Sequence, residues 1–188
     1  MTVKTDYARF DIHDELTAPA GSEKLLKSIS TAGGTVSKLV GVLAGSPAAL
    51  KAYARLRSEL HQGALPTATA IRIGLAVSEH RGDGYSLAQF ARSARLSGFG
   101  LDEISLNRSF SSTDEKEAAL LAFLKGAIES EGHPPNFLLE EAREADWTDE
   151  QILEALGEVA LCEFQSFVAN AAGLPQDQID ASLLPDAA

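Results

Sequence analysis

The chain reads as an all-α protein of one domain, and three observations carry that reading. Apolar residues make up 45% of the 188 positions, yet aromatics only 6%. Ala and Leu therefore supply much of the apolar content, which favours helices over strands. Helix punctuation recurs: Ser-Pro and Pro-Pro openings, Ser/Thr-x-x-Glu/Gln boxes, and Gly closings. No stretch shows the convincing apolar–polar alternation of a half-buried strand. A chain of this length buries about two-thirds of its unfolded surface and needs no disulfide or metal for stability.

Residues 1–20 are polar, run into "LTAPA" and read as an irregular arm. Residues 21–173 read as the helical domain, and 174–188 as a tail expected to be loosely ordered. Within the domain, "SEKLLKSIS" predicts a short helix capped by Ser22 and ended by "TAGG". "TVSKLVGVLAGSP" predicts a second, stopped by Gly45 and Pro47. Ser46 as cap and Pro47 at the first position open a longer helix that Gly63 ends, with Leu50, Tyr53, Leu56 and Leu60 on one stripe. "LPTATAIRIGLAVSEH" is apolar nearly all round and predicts a buried central helix.

Gly82 and Gly84 flank Asp83 and mark a turn, after which "SLAQFARSARLSG" restarts a helix closed by Gly98. "LDEISLN" predicts a helical turn or short helix. Ser112 and Glu115 suggest a capping box ahead of "EKEAALLAFLKGAIESEG", and "PPNFLLEEAREA" predicts another helix. The last helix has a second box, Thr148 with Gln151, and Trp147 with Ile152 as a hydrophobic staple. Its expected core stripe is Leu153, Leu156, Ala160, Phe164 and Phe167.

Charge narrows the function classes. A formal net charge of −11 repels phosphate backbones and anionic lipid, so neither nucleic acid nor membrane is an expected partner. The lone Cys162 excludes an internal disulfide and a CxxC pair within the chain, and this usage fits a reducing compartment. With no signal-like apolar core near the start and no span of ~20 apolar residues, a cytoplasmic location is expected. His13, His61, His80 and His133 show no ligand spacing, so no metal is expected, nor any other cofactor.

The order of elements also resembles a known family. "GTVSKLVGVLAGSPAALKAYARLRSELHQGALPTATAIRIGLAVSE" is similar to the front half of alkylhydroperoxidase-D-like proteins of the carboxymuconolactone decarboxylase superfamily. The likeness continues through "EAALLAFLKGAI" and "WTDEQILEALGEVALCEF" and spans roughly residues 12–173. It implies an all-helical, alkylhydroperoxidase-D-like fold and a homo-oligomer, trimeric or hexameric. It also implies peroxidase or thiol oxidoreductase activity.

In the family's redox branch, a Glu on the buried helix precedes a C-x-x-C-x-x-x-H motif, whose thiols cycle through a disulfide while Glu and His relay protons. The matching positions here hold Ile71, Asp83, Ser86 and Phe90. Only Tyr85 fits the family's pattern. A carboxylate and a hydroxyl cannot exchange two electrons with a disulfide, and Phe90 offers no base to activate Ser86. The four differences cohere, because a buried Glu without a relay is costly and Ile avoids that cost. The superfamily's decarboxylase branch would need cations for substrate carboxylates. Arg72, Arg81, Arg92 and His80 could supply them, but no motif supports that assignment.

Each polar residue also has a plain structural role. His80 suits the C-terminal end of a helix, and Asp83 or Ser86 can cap the next one. A triad-like His80–Asp83–Ser86 cluster would need an oxyanion hole, and no G-x-S-x-G elbow is present. Tyr85 suits a structural hydrogen bond at the pocket, and Phe90 should fill the core or the cavity. Cys162, with Glu158 and Glu163 nearby, is expected to be an inert buried thiol. The leading expectation is a non-redox homologue that binds a small molecule or protein partner at the vacated pocket. Altered non-thiol catalysis by His80, Asp83, Tyr85 and Ser86 is a second reading, and a purely structural oligomer a third.

Overall fold

The computed structural model describes residues 8–31 and 36–175. Among them are nine α-helices and no strand: α1 (Ala20–Thr31), α2 (Lys38–Leu43), α3 (Pro47–His61), α4 (Thr67–His80), α5 (Gly84–Leu96), α6 (Leu101–Asn107), α7 (Glu115–Glu129), α8 (Asn136–Glu144) and α9 (Asp149–Ala172). The "GG" stop at 33–34 and the tail beyond Pro175 lie outside the described residues.

The centre is α4, whose buried residues run from Thr69 to Ser78 on most sides. It presents Ile73, Ala76 and Val77 to Leu120, Leu121 and Leu124 of α7 and to Ile152, Ala155 and Val159 of α9. Its other side gives Ile71 and Leu75 to Ala94 of α5 and Ile104 of α6. A second core joins Leu26, Leu43, Leu50 and Tyr85 to Leu161 and Ala169 of α9. Each fully buried Leu or Ile contributes about 1.5–3 kcal/mol relative to exposure, so the all-round apolar pattern of α4 is what makes it the hub.

Local signals set most helix ends. Ser37 and Ser46 accept from Val40 and Ala49 N–H groups as N-caps of α2 and α3. Thr148 and Gln151 form both bonds of a capping box, with Trp147 and Ile152 buried in one cluster as the staple. Gly173 closes α9 at φ 64°, a left-handed conformation that glycine adopts without a Cβ penalty.

Five local expectations are corrected. Ser22 does not cap α1, which starts at Ala20; Ser22 is buried inside the helix. Ser112 does not cap α7. Asp114 does, because Ser112 instead donates to Glu103 at 2.6 Å. Ser97 is the C-cap of α5, with Gly98 one residue beyond at φ 85°. Of the expected α9 core stripe only Leu156 packs against the core; the rest faces outward, with Leu153 68% and Phe167 75% exposed and Ala160 and Phe164 exposed beside them. The buried stripe is Ile152, Ala155, Val159, Cys162, Ser166 and Ala169. Leu56 on α3 is likewise exposed.

The arm at 8–19 has no helix but is tied down. Arg9 N–H donates to the Ala172 carbonyl and His13 N–H to that of Gly41. A Cβ on Gly41 would lie 2.6 Å from Ile12, so glycine lets the arm cross α2 closely. No helix among the described residues is long and apolar enough to cross a membrane.

Candidate functional site

The turn between α4 and α5 is built by capping. Asp83 accepts from the Ser86 N–H at 3.1 Å and is the N-cap of α5, while its own N–H donates to the Ser78 carbonyl. Gly82 takes φ 61° just before it. Asp83 is 1% exposed, and its Oδ2 is buried without a partner. This connection aims the first turns of α5 back along α4.

Ser86 and Phe90, one turn apart on α5, and Ile71 on α4 line one cavity of about 940 Å³. Its walls are completed by residues of α3 and α9, among them Tyr53, Arg57, Glu158 and Gln165. The volume is at the upper end of the range for small-molecule sites. Phe90 also packs on α4: a Cβ on Gly74 would fall 2.3–2.5 Å from its ring. Phe90 and Ile71 share the apolar cluster beneath the cavity floor. Three of the four motif positions thus meet at one site, and Asp83 stays behind them in the turn.

The remaining sequence candidates are held elsewhere. The Leu39 N–H donates to the Tyr85 hydroxyl at 3.3 Å, so this 2% exposed ring ties α5 to α2. His80 meets Phe110 edge-on at 6.1 Å at the end of α4. No hydrogen bond links His80 to Asp83 or Ser86 among the described residues. Of the possible carboxylate-binding cations, Arg72 is paired with Glu103 at 2.9 Å and lies over Phe99, and Arg81 is paired with Glu163.

Cys162 is buried on α9 and is not a wall of the cavity. Burial first, and then the negative charge of Glu158, push its thiol well above the usual range. A high pKa removes the thiolate that redox or nucleophilic chemistry needs. Its Sγ donates to Glu158 Oε1 at 3.8 Å. Burial raises the Glu158 carboxyl, opposed by the charge of Arg57 and by this bond. Among the described residues no three His, Cys, Asp or Glu side chains lie together as a metal site.

Glu158, Gln165, Tyr53 and Arg57 were not evident from sequence as wall residues. The available signal was a Glu and a Gln, seven residues apart, on one flank of a helix that also carries Glu154 and Glu163.

No protein-family model matches the chain, and no curated protein does either. Solved structures do match. An uncharacterized peroxidase-related protein from Ralstonia eutropha with an alkylhydroperoxidase AhpD core has a TM-score of 0.77 at 19% identity, covering 92% of this chain and 93% of that one. An uncharacterized peroxidase-related protein from Silicibacter sp. TM1040 has a TM-score of 0.77 at 18% identity, covering 95% and 96%. The debrominase Bmp8, in a cysteine-to-alanine form complexed with 2,3,4-tribromopyrrole, has a TM-score of 0.75 at 18% identity, covering 97% of each. The chain therefore has the alkylhydroperoxidase-D-like helical fold, in a single domain.

Proposed function

We propose that this chain is a non-redox protein of the alkylhydroperoxidase-D-like fold. It binds a small molecule in the cavity of Ile71, Ser86 and Phe90, and works as a homo-oligomer in the cytoplasm. One observation carries the reading: three of the four positions that match the family's redox motif border a roomy cavity, lined by apolar and polar side chains alike, whose walls hold no sulfur. Paired thiols are what make a peroxide-reducing cycle possible, since one thiolate attacks and the other resolves the product. Here the single thiol is buried, outside the cavity and raised in pKa. A small-molecule role is supported by cavity size, and by the bound tribromopyrrole of the debrominase with the same fold.

Self-association is supported by the outward stripe of α9. Leu153, Ala160 and Phe167 stand exposed at spacings of seven and seven, a heptad-like seam, while Phe164 beside them sets its ring 6.3 Å from that of Tyr53. Large apolar side chains in such a row commonly mark an interface. The occupant proposed is a second copy of this chain.

Two measurements test the binding reading. Peroxide consumption with dithiothreitol as donor should not exceed the rate without protein, and clear turnover would overturn the non-redox assignment. A thermal-shift screen against a panel of small apolar metabolites should find stabilising compounds whose effect is weakened in Ile71→Trp, which intrudes on the cavity between α4 and α5. A panel that stabilises both forms equally would remove the cavity as the site.

A further inference from the structure

The cavity has two unlike ends, and they narrow its ligand class, an inference that rests on the small-molecule reading above. At one end the wall is buried and mostly aliphatic, with Leu39, Val40, Leu50 and Leu161 beside Tyr53 and Ser86. At the other end the wall is exposed: Arg57, Ser58 and His61 of α3, Thr67 at the start of α4, and Ser93 and Ser97 of α5. Leu96 is the one apolar side chain among the exposed wall residues. Burial falls along α3 from Leu50 to His61 and along α5 from Ser86 to Ser97, while α4 starts at the exposed end and runs inward to Ile71. Leu50 and Arg57 are seven residues apart on α3, ~10 Å along the helix axis. A ligand matched to this wall is apolar at the buried end and polar at the mouth.

The groups at the mouth set the sign of its charge. The chain is −11 overall, yet α5 has no Asp or Glu and carries Arg92 and Arg95, and the one acid of α3, Glu59, is paired with Arg55. Among the described residues no carboxylate lies within 4.0 Å of the Arg57, Arg92 or Arg95 guanidinium. Glu158 is the only acid in the cavity wall, and Arg57 acts on it through charge. Burial disfavours the charged form of Glu158, which leaves Arg57 incompletely compensated. A cation entering here would pass Arg57 and His61 first, whereas an anion would find Arg57 accessible, with the Ser58, Thr67 and Ser93 hydroxyls beside it as donors.

We propose that the cavity takes an amphipathic anion: an apolar chain at the buried end, and one carboxylate or phosphate head beside Arg57 at the mouth.

Isothermal titration calorimetry with octanoate, octyl phosphate, 1-octanol and octylammonium tests this. The native chain should bind at least one of the two anions about fivefold more tightly than 1-octanol, the worth of one partly exposed charge pair. Octanoate against octyl phosphate decides between the two heads. The homologue of the tighter anion shortened by two methylenes should bind about tenfold more weakly, having less chain to bury. In Arg57→Gln the preference over 1-octanol should fall to about one with 1-octanol affinity kept, and Arg57→Lys should retain most of it. If the native chain binds 1-octanol as tightly as the anions, and Ile71→Trp weakens them all, this inference is overturned and the small-molecule reading stands. Octylammonium as the tightest probe would overturn it as well, and so would an anion preference that survives Arg57→Gln or ignores chain length. Silence from all four would do the same, and the metabolite screen would then judge the broader reading separately.

Discussion

At the scale of single residues, two positions carry more than their sequence context suggests. Glu103 accepts from Ser112, Thr113, Asn107 and Arg72, at distances from 2.6 to 2.9 Å. Burial alone would raise its carboxyl, but these bonds outweigh it and hold the group well below the usual carboxylate range. A group whose folded pKa is depressed contributes stability that is complete above its unfolded pKa, near 4.5, and is lost as pH falls through the folded value. Glu103→Gln should therefore cost about 2 kcal/mol at pH 7 in urea unfolding, and the gap from native should shrink as pH drops below 4.5. A gap that stays constant with pH would refute the charge-based account. Neighbouring Glu117 shifts the opposite way, raised by burial and by the charges of Asp114 and Glu103 against its contacts with Thr69 and Arg72, so Glu103→Gln also relieves Glu117 and offsets part of the cost at pH 7.

Gly74 is the second case. Its missing Cβ makes room for the Phe90 ring, so Gly74→Ala forces that ring to move at a cost of about 1–3 kcal/mol. If the contact is the cause, Gly74→Ala combined with Phe90→Ala should cost clearly less than the sum of the two single changes. Additive costs would mean that the glycine serves something else. Neither residue announces the pairing in sequence: Phe90 stands there where the resemblance places a His, and Gly74 is one glycine within an apolar helix.

At the scale of elements, α9 shows where sequence patterns hold and where they mislead. Its start is local chemistry: Thr148 accepts the Gln151 N–H, Gln151 returns the bond, and no other part of the fold is needed. Thr148→Ala should cost about 1 kcal/mol by removing a partner for one free N–H, read as a lower urea midpoint with unchanged slope. A loss below a few tenths would show that the box is redundant beside the Trp147–Ile152 staple. The face of α9 was not readable in the same way. The helix has apolar residues on two flanks, and periodicity finds both without saying which one the core takes. Small residues decide it here: Ala155, Ala169 and the compact Cys162 let α9 approach α4 and its neighbours, which turns the larger Leu153, Phe164 and Phe167 outward. The capping box at Ser112 failed for a related reason. Its hydroxyl is drawn to Glu103 on α6, so Asp114 takes the cap two residues later.

At the scale of the whole molecule, an acidic chain with an exposed aromatic and aliphatic stripe calls for a partner on that stripe. Light scattering coupled to size exclusion should give a mass above the 19.9 kDa of one chain at micromolar concentration. Phe167→Glu should shift it toward the monomer with the helical circular-dichroism signal intact. A native monomer would remove the proposed interface.

Composition and punctuation in the sequence determined that the chain is helical, that α4 is buried and where most helices begin, because each of these depends on residues close together in the chain. Tertiary structure alone decided that Ile71, Ser86 and Phe90 border one cavity, that Gln165 and Glu158 share its wall, and which side of α9 turns inward. Those outcomes depend on how volumes fill the space between helices, and no local spacing encodes the shape left over when six of them pack.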